Sequence, residues 1–113
     1  LQALQLMNDV QHFEAARALA ERLLTEGGAT AAERITWGFR TVAGRRPRPE
    51  EIAIIEENLA LQLTSFREAP ERAAKVIDVG DSAPRAGLDP VELAAWTLVG
   101  NLLLNLDETV TRN

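Results

Sequence analysis

Apolar residues recur along this chain at three- and four-residue intervals, and glycine or proline interrupts them at each change of register. After Val10 they fall at Phe13, Ala16, Leu19, Ala20, Leu23 and Leu24, the period of a helix that buries one stripe. Gly27 and Gly28 end this run, and Asn8 or Asp9 can cap its start. The preceding Leu1, Leu4, Leu6 and Met7 suggest a further helical stretch leading into it.

Thr30 and Glu33 have the spacing of a capping box, in which each residue satisfies the other's backbone N–H. They introduce a second helix of about a dozen residues, carrying Ile35, Phe39 and Val42 to Ala43, with Gly44 as its left-handed terminator. Two prolines make Arg45-Arg46-Pro47-Arg48-Pro49 a stiff, non-helical connection. Pro49 suits the first turn of a third helix, Glu50 and Glu51 suit its positive end, and Ile52, Ile55, Leu59, Leu63 and Phe66 form its stripe.

Ala69-Pro70 breaks the pattern again, and Ala73, Ala74, Val76 and Ile77 support a shorter fourth helix ending near Gly80. Residues 80–88 lack periodicity and carry two glycines and a proline, so they form the one loop of any length. Asp89-Pro90-Val91-Glu92 starts the last helix with a cap, a proline at its first position and a second capping-box pair. From Leu93 to Leu106 nearly every face is apolar, which places this helix at the centre, and Gly100 lets a neighbour approach closely. The fold predicted is therefore all-α: one compact bundle of about five helices over residues 1–113, with a central apolar C-terminal helix.

Composition supports that picture. Hydrophobic residues make up 46% of the 113 residues, mostly as Ala and Leu, and aromatics only 4%, so strong helix formers dominate. A chain of this length suffices for one core. The net charge of −5 comes from interspersed acids and bases, which argues against nucleic acid and anionic lipid as partners. Cysteine is absent, so disulfides, thiolate catalysis, Cys-ligated zinc and covalent haem attachment are excluded within this segment. No apolar run approaches the roughly 20 residues of a membrane span, so no membrane insertion is expected. The start at Leu1 instead of Met reads as an excised C-terminal part of a larger protein.

Candidate chemistry is sparse, and no catalytic residue, metal ligand or cofactor site emerges. His12 is the only histidine; without a second histidine or a cysteine it fits a surface or capping role better than zinc or acid-base work. Arg45, Arg46 and Arg48, with Arg40 upstream, form the one basic cluster and can grip phosphate or a partner's carboxylates. Glu50 and Glu51 lie close enough to pair with them, so a structural role competes. Of the two tryptophans, Trp96 belongs inside with the central helix, whereas Trp37 is offset from its stripe and is the better interface candidate. Asn101 and Asn105, one turn apart on the most apolar helix, either line a polar pocket or tie the helix to a neighbouring loop. Asp107-Glu108-Thr109 lacks the loop framework of a cation site.

Several strings taken together carry a family resemblance: Leu6-Met7-Asn8-Asp9 leading into Phe13-Glu14-Ala15-Ala16-Arg17, Glu33-Arg34-Ile35 with Phe39-Arg40, Gly44-Arg45-Arg46-Pro47, Glu50-Glu51, and Trp96-Thr97 through Leu103-Leu104-Asn105-Leu106-Asp107-Glu108. The chain resembles the C-terminal helical part of the planctomycete cytochrome-c-associated PSD-type family, domain of unknown function family 1553. Val10 departs from the proline expected after Asn-Asp. The resemblance implies a large protein exported to the bacterial cell envelope and joined to c-type cytochrome modules, whose redox centre would lie outside this cysteine-free segment. It implies no catalytic residue that can be placed here.

The expected function is thus a non-catalytic structural or interaction domain whose partners are other domains of the same parent protein, met through Trp37 or the arginine connection. A pocket for a small molecule or carbohydrate near residues 80–88, bordered by Asn101, is the rival. Self-association through leftover apolar surface is a third possibility, and the oligomeric state stays open.

Overall fold

In a computed structural model of the chain, residues 10–78 and 83–112 are described, with side chains for 12–78 and 83–106. Five helices follow one another: α1 Val10–Glu26, α2 Ala31–Gly38 continued by a π-helical turn Phe39–Ala43, α3 Pro49–Glu68, α4 Pro70–Ile77 and α5 Pro90–Arg112. The described residues contain no strand. Asn8, Asp9 and the apolar stretch before them lie outside the described residues, as do Gly80 and the side chains of Asp107, Glu108 and Thr109.

The helix starts rest on local chemistry. The Thr30 hydroxyl accepts from the Glu33 N–H at 3.1 Å, and the Glu33 carboxylate accepts from the N–H groups of Ala29 at 2.8 Å and Thr30 at 3.1 Å. Those backbone donors, Ala29 first, lower the Glu33 pKa from its ordinary value. At α5 the Asp89 carboxylate accepts from the Glu92 N–H at 3.0 Å. Proline occupies the first turns of α3, α4 and α5, where its missing N–H leaves no helical acceptor unpaired. Gly44 ends the second helix at φ 72°, a left-handed conformation that a side chain would strain.

Packing then sets the order of the layers. α5 touches α1, α3, α4 and the π turn, and Leu93, Ala94, Ala95, Trp96 and Thr97 are buried in succession. Five buried neighbours in a row cover every face of a helix, so the first half of α5 is enclosed on all sides. A Cβ on Gly100 would come within 2.7 Å of the Ala16 carbonyl oxygen, which shows how closely α1 crosses α5. Towards its end α5 emerges: Leu102 is 38% exposed and Leu104, Asn105 and Leu106 are half-buried. The expected all-round burial to Leu106 therefore stops short, because no described helix covers that last face.

Phe39, Phe66 and Trp96 fill the spaces between helices, and the radius of gyration of 13.5 Å is close to the roughly 13 Å of a compact chain of this length. No helix among the described residues is long and apolar enough to cross a membrane.

Candidate interaction surface

The arginine connection is folded tightly onto the start of α3. Arg45 donates to both Glu51 carboxylate oxygens at 2.9 Å and to the Arg46 carbonyl at 3.1 Å. Glu51 also accepts from the Arg48 N–H at 2.7 Å, and the Arg45 guanidinium lies 5.0 Å from the centre of the Phe39 ring. The Arg45 hydrogen bonds first, and then the Arg48 N–H, pull the Glu51 pKa from 4.5 to about 2. The carboxylate is thus charged throughout the neutral range and neutralised by one specific partner.

This geometry divides the basic cluster. Arg45 serves the local fold, as the sequence reading of Glu51 anticipates. Arg46 and Arg48 are exposed and form no side-chain ion pair with a described residue, although Arg48 adds a weaker charge effect at Glu51. Arg40 lines a separate groove together with Trp37.

Beside the Arg45–Glu51 pair lies an apolar groove of about 180 Å³ between α3 and α5, lined by Phe39, Glu51, Ile54, Ile55, Leu102 and Leu106. Ile54 is 63% exposed at its edge, and Leu61, 65% exposed, follows on the same helix. Ile54 and Leu61 stand seven residues apart and so share one helix face. These exposed positions fall outside the buried stripe that predicts the core.

Trp37 is half-buried, with the Arg22 guanidinium 5.0 Å from its ring centre and Arg22 paired to Glu26 at 3.4 Å. It opens onto a shallow groove of about 490 Å³ that Glu26, Glu33, Thr36 and Arg40 also line. Trp96 is buried, with Arg34 5.7 Å above it. The partition of the two indoles follows the sequence expectation.

Asn101 and Asn105 are half-buried on α5 and line neither groove. Residues 79–82 of the loop lie outside the described residues. Its later part is tied to α1, because the Arg85 N–H donates to Glu21 at 2.7 Å and the Arg85 guanidinium reaches Thr25 at 3.5 Å.

His12 lies near the start of α1. It is half-buried, and its Nε2 atom is enclosed without a hydrogen-bond partner among the described residues, so this nitrogen is not at the surface. No group of three potential metal ligands occurs among the described residues. Arg17 carries a role that the sequence reading missed. It is only 4% exposed, and its guanidinium donates to the Ile77 carbonyl at the end of α4. The signal was present in its position, since Arg17 falls between Ala16 and Ala20 on the buried side of α1.

Against known proteins, a family model described as PSD1, protein of unknown function (DUF1553), matches residues 1–59, just over half of the chain. No curated protein matches, and no solved structure matches.

Proposed function

Because the chain belongs to the PSD1 family of proteins of unknown function, DUF1553, we propose that it is a non-catalytic structural and interaction domain of a larger bacterial cell-envelope protein. Its partners are other domains of that same parent protein, among them c-type cytochrome modules, as the family resemblance implies. The observation that carries this reading is the surface at the start of α3. There the fold uses Arg45 to pin the connection to Glu51 and leaves Arg46 and Arg48 exposed, with Ile54 63% exposed further along α3.

Contacts between domains of one chain are characteristically modest in area and mixed in polarity, and this surface has that composition. The half-buried Trp37 with Arg40 supplies a second patch of the same kind. An indole offers a large apolar area at little conformational cost, which suits an anchor.

The test is association of this chain with the separately produced remainder of the parent protein, measured by co-purification and by calorimetry. The double variant Trp37→Ala, Arg46→Ala is expected to bind about tenfold or more weakly, the effect of losing one interface anchor. Undiminished association of that variant would show the interaction reading to be wrong.

A further inference from the structure

We draw no further inference here: the strongest candidate, the apolar groove between α3 and α5 lined by Phe39, Ile54, Ile55, Leu102 and Leu106, is an unpartnered apolar face, and nothing in the structure shows what covers it.

Discussion

At the scale of single residues, two arginines do opposite jobs for the same reason. A guanidinium carries five donors in a planar fork, so its surroundings decide whether it ties the fold together or faces outward. Arg17 is buried and delivers a donor to the Ile77 carbonyl, one of the last-turn acceptors that α4 cannot satisfy internally. Replacement by alanine should therefore strip that carbonyl of its buried partner and lower stability by about 1–3 kcal/mol, read from urea unfolding midpoints; a change within error would show that the contact is dispensable.

Arg45 and Glu51 make the second case, and its sign can be worked out from the depressed carboxyl pKa. A group whose pKa is lowered on folding stabilises the native state above its unfolded value and loses that contribution as pH falls towards the folded value. The wild type should therefore exceed Glu51→Gln in melting temperature above about pH 4.5, and the gap should close as pH approaches about 2. A gap that stayed constant across that range would show that the pair does not couple protonation to folding.

At the scale of elements, the helices differ in how they are held. α2 is short, eight residues before its π turn, and too short to be stable alone. Its cap at Thr30 and Glu33 and its stop at Gly44 are therefore significant parts of its definition. Gly44→Ala should cost about 1 kcal/mol, because the added methyl meets no neighbour yet sits on a backbone at φ 72°. Calorimetry would report a lower melting temperature with an unchanged groove, and an unaltered melting temperature would mean that the backbone relaxes freely there.

The π turn is the element that pattern analysis does not foresee. Ile35, Phe39 and Val42 keep helical spacing whether or not one turn widens, so the apolar period carries no mark of it. Such turns concentrate at functional positions. Here it delivers Phe39 to the floor of the apolar groove and to the underside of Arg45.

At the scale of the whole molecule, the central helix and its close crossing with α1 govern stability. Gly100→Ala places a methyl against the Ala16 carbonyl oxygen, a backbone atom that cannot swing aside as a side chain would. The helices must separate, at about 1–3 kcal/mol by analogy with overpacked cores. Denaturant unfolding measures it, and full stability in the variant would mean that α1 and α5 approach less closely than 2.7 Å implies.

Much of this architecture was legible before any coordinates. The three-and-four spacing, the prolines at helix starts and the caps at Thr30 and Asp89 are local signals, each acting within one or two turns, and the helices lie where they place them. The match of residues 1–59 to a family of unknown function agrees with the resemblance carried by the linker and the strings before it. The inward Trp96, the half-exposed Trp37 and the close approach at Gly100 also followed from position on a stripe.

What depended on the folded chain were relations between residues distant in sequence. That Arg17 meets Ile77, that Arg85 reaches Glu21, and that Leu102 and Leu106 are left open beside Ile54 are outcomes of which helix packs on which. A single helix period reports the width of an apolar face but not the size of the neighbour that covers it. The stretch from Leu102 to Leu106 is largely apolar like the turns before it, and burial separates the two because the earlier turns have described neighbours all round and this stretch does not.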